Sequence, residues 1–101
     1  MAKIFYGFLS GNLVVGVADA SEQASAQKFS DLLKDELKYH FPEFDIEIVF
    51  ESGSVGCTPR GLKTRIEYND GTVEDDNYDV SSVHAIADRV FCGGAWIVEG
   101  N

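Results

Sequence analysis

Few side chains in this sequence are suited to making or breaking a covalent bond, and their spacing limits what each can do. Cys57 precedes Thr58, Pro59 and Arg60 in a stretch that also holds Gly53, Gly56 and Gly61. A thiol becomes a strong nucleophile when a nearby cation lowers its pKa, and Arg60 is a candidate for that role. The glycines match neither a phosphate-cradling loop nor a dinucleotide fingerprint, and no base accompanies the thiol. Cys57 is therefore expected to be dispensable; a small enzyme or enzyme subunit using Cys57, Arg60 and a neighbouring acid is the alternative. Cys92, beside Phe91 near a helix end, reads as core. His40 and His84 each lack a second His or Cys at metal-ligand spacing, so structural or surface roles are expected.

Carboxylates are the more abundant chemistry. Asp70, Glu74, Asp75, Asp76 and Asp79 crowd one short stretch, and hard cations such as calcium take several oxygen ligands. An EF-hand loop places its glycine sixth, whereas Gly71 follows Asp70 directly. A solvated hairpin end is expected, with no metal and no other cofactor. Paired carboxylates also serve glycosidases, but 101 residues leave little room for a sugar cleft.

A second group of acids lies in Phe44–Glu51, where Phe44, Ile46, Ile48 and Phe50 alternate with Asp45, Glu47, Val49 and Glu51. Residues two apart on a strand share a face about 6.7 Å apart. Asp45, Glu47 and Glu51 thus form a carboxylate row, interrupted by Val49, with a spacing of the same order as successive phosphates along a DNA strand. Glu67 and the acids Asp70, Glu74, Asp75, Asp76 and Asp79, if beside it, would widen the row into an anionic band. These nine residues are the candidate binding site.

The whole chain has the same bias: 17 Asp and Glu against 8 Lys and Arg, a formal charge of −9. A nucleic-acid-binding surface neutralises phosphates with clustered cations, but here the cations are scattered from Lys3 to Arg89. Direct nucleic-acid binding is not expected, and an anionic membrane would repel the chain. No run approaches the 18 or so apolar residues of a membrane span. The partner that such a field attracts is a cationic protein surface; the plainer alternative is that acidity only confers solubility. Tyr6, Tyr68, Tyr78 and Val55 are candidate apolar anchors wherever they are exposed.

With its rows Asp45-Glu47-Glu51 and Glu74-Asp75-Asp76-Asp79, the chain resembles the small acidic phage-encoded inhibitors of host defence complexes, among them DNA-mimic anti-restriction and anti-CRISPR proteins. Those proteins share no residue signature, so the resemblance transfers no functional residue. It implies a non-enzymatic inhibitor acting through protein–protein contact on a nucleic-acid-binding complex. An immunity protein or antitoxin neutralising a basic toxin is the rival reading. Two cysteines are too few for a disulfide framework, so a reducing, cytoplasmic setting is expected, as monomer or homodimer.

The elements that must position these residues are legible in outline. Residues 3 to 9 and 13 to 18 flank Ser10-Gly11-Asn12, predicting a hairpin; that turn signal also interrupts a segment that otherwise imitates a secretion signal. Asp19 and Ser21, with Glu22 in capping-box spacing, predict a helix start, and Phe29, Leu32, Leu33 and Leu37 recur at helical period before Pro42. Phe44–Glu51 reads as a strand. Ser52 to Gly61 reads as a loop, and Leu62 to Tyr68, Asn69-Asp70-Gly71 and Thr72 to Asp75 as a hairpin. Asp79 and Ser81 offer caps for a second helix through Val83, Ile86, Ala87 and Val90, which Gly93-Gly94 stops before a last strand at Ala95–Glu99. The expectation is one α+β domain spanning residues 1–101. Its antiparallel-dominated sheet of about six strands, in ββαβ-ββαβ order, would carry two helices on one face.

Overall fold

The first strand, β1, is Lys3–Leu9. The structure, a computed structural model, describes residues 2–13, 20–51 and 64–99. Aromatic and β-branched residues favour a pleated strand, and alternate positions Ile4, Tyr6 and Phe8 are at most 1% exposed. Ser10–Leu13 forms a single helical turn, α1, in place of the expected hairpin turn. The Ser10 hydroxyl is fully buried and donates to the Glu22 carboxylate at 2.6 Å and to the Glu51 carbonyl oxygen at 3.2 Å. A hydroxyl at a hairpin tip would face water; here it ties the chain as it leaves the sheet to two other elements. The remainder of the expected second strand, residues 14–18, and the alternative cap Asp19 lie outside the described residues.

Helix α2 is Glu22–His40. Ser21 is its N-cap, accepting from the Ala24 N–H at 3.3 Å, which satisfies one orphan donor of the first turn. Ala26, Phe29, Leu33 and Leu37 are completely buried, while Lys28, Asp31, Lys34, Asp35, Glu36 and Lys38 are exposed. Pro42 disfavours helical backbone at the residue before it, and Phe41 closes the helix at φ −130° and ψ 66°. The strand β2, Asp45–Glu51, follows. Then come β3, Arg65–Glu67, and β4, Val73–Glu74. They form the expected second hairpin, turning through Gly71 at φ +89°.

Helix α3 is Tyr78–Gly93. Its N-cap is Asn77 rather than Asp79 or Ser81: Asn77 has extended backbone and accepts from the Val80 N–H at 2.9 Å. Gly94 ends the helix in the left-handed conformation at φ +72°. Cys92 is exposed, contrary to the expected core position. At about 100° per residue, it stands some 200° around the helix from Val90, away from the buried stripe of Val80, Val83, Ile86 and Ala87.

Among the described residues the sheet has four strands in the order β2-β1-β3-β4 and is mixed, in place of the expected antiparallel-dominated sheet of about six. β1 pairs in parallel with β2 over its full length, from Lys3 opposite Asp45 to Leu9 opposite Glu51, and antiparallel with β3. A helix between two strands is the usual crossover of a parallel pair, and α2 supplies it. The expected last strand at Ala95–Glu99 reduces to one bridge, Ala20 with Glu99. Its backbone instead serves α2: Val98 accepts from the Ser21 N–H at 2.8 Å, and its own N–H donates to the buried Ser25 hydroxyl at 3.0 Å.

As expected, the two long helices cover one face. Ile4, Tyr6, Phe8, Ile46 and Ile66 from the sheet meet Phe29, Leu33, Leu37, Val80, Val83 and Ile86, with Trp96 closing one end. Trp96 stacks on Phe91 at 5.4 Å, and its indole donates to the Phe91 carbonyl at 2.8 Å. Each large side chain buried in this way contributes roughly 1.5–3 kcal/mol. Among the described residues the other face of the sheet carries no helix, and the register places Lys3, Phe5, Gly7, Leu9, Asp45, Glu47, Val49, Glu51, Arg65, Glu67 and Val73 on it, of which Gly7 and Leu9 are buried.

Candidate interaction surface

The strand period positions the acids. Ile46 points into the core at 8% exposure, so its neighbours Asp45 and Glu47, and with them Glu51, stand on the helix-free face. Glu67 joins this face because its partner is Lys3 while Ile66 faces the core. The row is not purely anionic. Lys3 reaches Glu47 at 2.7 Å, and its ammonium is held above the usual 10.5, first by the Glu47 hydrogen bond and charge, then by Glu67 and Asp45. Arg65 lies 4.2 Å above the Phe5 ring and 3.7 Å from Glu67. Among the described residues four carboxylates therefore stand against two cations on this face, a net charge of −2. These cations and Phe5 were legible from the alternation of Lys3-Ile4-Phe5-Tyr6 and Arg65-Ile66-Glu67, which puts them across from the core positions.

The hairpin acids form a separate group at the β3-β4 end. Asp70 accepts the Thr72 N–H at 2.9 Å, and this bond lowers its carboxyl from the ordinary 3.8. Glu74 pairs with Ile66 and so belongs to the helix side of the sheet edge. Asp75 and Asp76 are exposed in the connection to α3. Asp79, in the first turn of α3, accepts from the Tyr68 hydroxyl at 2.7 Å, and the same hydroxyl accepts from Asn77 Nδ2 at 2.7 Å. Burial, then donation to Asp79, raises the Tyr68 phenol above 10.0. Among the described residues, none of Asp70, Glu74, Asp75, Asp76 or Asp79 forms an ion pair with a cation.

The structure thus brings Asp45, Glu47 and Glu67 around Lys3, with Glu51 further along β2. Glu74 and Asp79 lie near Tyr68, on the opposite side of the sheet. One continuous band does not form, because β1 with Lys3 separates β2 from β3 and the pleat turns Glu74 to the far side. Of the candidate anchors, Tyr6 is fully buried beside Phe8 at 6.0 Å and is corrected to a core residue. Tyr68 is half-buried and Tyr78 is 85% exposed. Val55, Cys57 and Arg60 lie outside the described residues. Val49 and Val73, at 43% and 54% exposure, are apolar surface on the helix-free face that the sequence reading did not single out as anchors.

Among the described residues no cluster of three His, Cys, Asp or Glu side chains is arranged to hold a metal ion, and no helix is long and apolar enough to cross a membrane. No family model matches the chain, and no curated protein or solved structure is significantly similar to it.

Proposed function

We propose that this chain is a non-enzymatic acidic binding protein of the cytoplasm that occupies the cationic surface of a nucleic-acid-binding protein or complex and excludes the nucleic acid by competition, in the manner of the DNA-mimic inhibitors it resembles. The observation that carries the reading is the placement of Asp45, Glu47, Glu51 and Glu67 on the sheet face without helices. The hairpin acids, none of which pairs with a cation among the described residues, extend the negative field at one end. Such a field speeds encounter with a basic surface, and apolar contacts through Val49, Val73 and Tyr78 would lengthen residence.

The test is affinity capture from host lysate followed by salt titration of the recovered basic complex. The variant D45N/E47Q/E51Q turns the helix-free face from −2 to +1, because Lys3 and Arg65 remain. Exposed substitutions change stability by only about 0.5 kcal/mol each, so circular dichroism should show the same fold. Affinity of the parent should fall with rising salt, and the variant should bind more weakly with a flatter dependence. A folded variant that binds and inhibits like the parent at physiological salt would remove the helix-free face from the reading. A captured basic toxin would favour the immunity-protein alternative.

A further inference from the structure

The outer edge of β2 adds a second recognition element beside the charge. β2 ends the sheet order, and its seven residues pair with β1 along their whole length without proline or glycine. Its odd-numbered residues turn their backbone groups inward. The Asp45 N–H donates to the Ala2 carbonyl at 2.9 Å, and the Glu51 carbonyl accepts from Ser10. Backbone groups alternate along a strand, so Ile46, Ile48 and Phe50 direct their N–H and C=O groups outward, away from β1. Among the described residues nothing pairs with them. Proteins blunt such edges with proline, bulges or inward-pointing charges; β2 has only its one-sided acids.

We propose that β2 receives an extended cationic strand of the partner by edge addition, the partner carrying Lys or Arg opposite Asp45, Glu47 and Glu51 and apolar residues on the alternate positions. Side chains directly across a strand pair stand about 4.5–5.5 Å apart. An added strand would therefore set its cations against the carboxylate row and its apolar residues beside Ile46, Ile48 and Phe50, of which Ile48 and Phe50 remain half-buried. Charge also selects against a second copy. An antiparallel β2-β2 pair centred on Ile48 puts Asp45 opposite Glu51 twice, and a parallel pair sets each acid against itself; like charges directly opposite destabilise a sheet. The proposal takes the positive sign of the partner from the function proposed above, and adds backbone hydrogen bonds, which salt does not screen.

The probe is the capped peptide Lys-Val-Lys-Val-Thr-Val-Lys, with its reverse order for antiparallel addition. Amide exchange by NMR reads the site: saturation should slow exchange at Ile46, Ile48 and Phe50 by roughly tenfold or more, leaving Glu47 and Val49, already bonded to β1, unchanged. A peptide N-methylated at the alternate residues that would bond β2 keeps its charge and should lose roughly tenfold or more in affinity. Equal binding by the methylated peptide, or protection away from those three amides, overturns strand addition while leaving charge recognition standing. If neither peptide binds at physiological salt, edge addition by a cationic strand is overturned; the function proposed above then stands or falls on the salt titration alone.

Discussion

Replacing Tyr68 by Phe probes the joint that holds the acidic hairpin to α3. The Tyr68 hydroxyl donates to Asp79 and accepts from Asn77, each at 2.7 Å, and Asn77 also caps α3. A hydrogen bond to a charged group contributes about 1.5–3 kcal/mol; with Tyr68 half-buried the lower end of that range applies, about 1.5–2 kcal/mol. For a domain of this size that lowers Tm by roughly 6–16 °C, at 4–8 °C per kcal/mol. Thermal unfolding followed by circular dichroism measures it, and a double-mutant cycle of Y68F with D79N isolates the pair, with an expected coupling of about 1 kcal/mol. The phenol titrates above its ordinary 10.0 in the folded state. Its contribution is therefore full below pH 10 and is lost as pH rises through the raised value, so the advantage over Y68F should shrink at alkaline pH. A Y68F protein with unchanged Tm, or a coupling within about 0.3 kcal/mol of zero, would show that the two side chains act independently.

Three further perturbations test other parts of the account. Phe29, completely buried between Phe8 and Trp96, should cost about 3–5 kcal/mol when changed to Ala. That is a large share of the roughly 5–15 kcal/mol that stabilises a domain; a urea midpoint near the parent's would contradict the assigned core. G94A places a side chain at φ +72°, where its Cβ would meet only Ile97 Cδ1 at 3.8 Å. The expected loss of about 1–2 kcal/mol is then conformational, and a midpoint unchanged in urea would reject the helix stop. Asp70, held below 3.8 by the Thr72 N–H, contributes stability above that pH that is lost as pH falls through its lowered value. The stability difference between parent and D70A should narrow in acid, and a constant difference from neutral to acid pH would refute the bond.

Periodicity was legible wherever one partner set the pattern. The core stripe of α2 at Phe29, Leu33 and Leu37, the faces of β2 and the Gly71 hairpin all follow from local spacing. Local signals do not encode which strand is the neighbour. The Ser10-Gly11-Asn12 triplet suits a hairpin turn and a helical turn alike, and burial of Ser10 against Glu22 and Glu51 decided between them. The helix between β1 and β2 was the available sign of a parallel crossover, outweighed by the hairpin reading. Capping shows the same limit: Asn77, Asp79 and Ser81 are all competent caps, and Asp79 was taken by Tyr68. In the candidate site the carboxylate face was readable from alternation. Its neutralisation was not, because Lys3 and Glu47 are 44 positions apart and meet only through the β1-β2 register.

Under the proposed function the chain and a nucleic acid compete for one surface. The most direct measurement is the apparent Kd of the captured complex for its own DNA or RNA, by fluorescence anisotropy at fixed physiological salt, as this protein is added. Competition predicts an apparent Kd rising in proportion to added protein without a plateau, together with loss of the effect in D45N/E47Q/E51Q. A plateau, or a ternary complex of target, nucleic acid and this chain in analytical ultracentrifugation, would contradict the account by placing the acidic face elsewhere on the target.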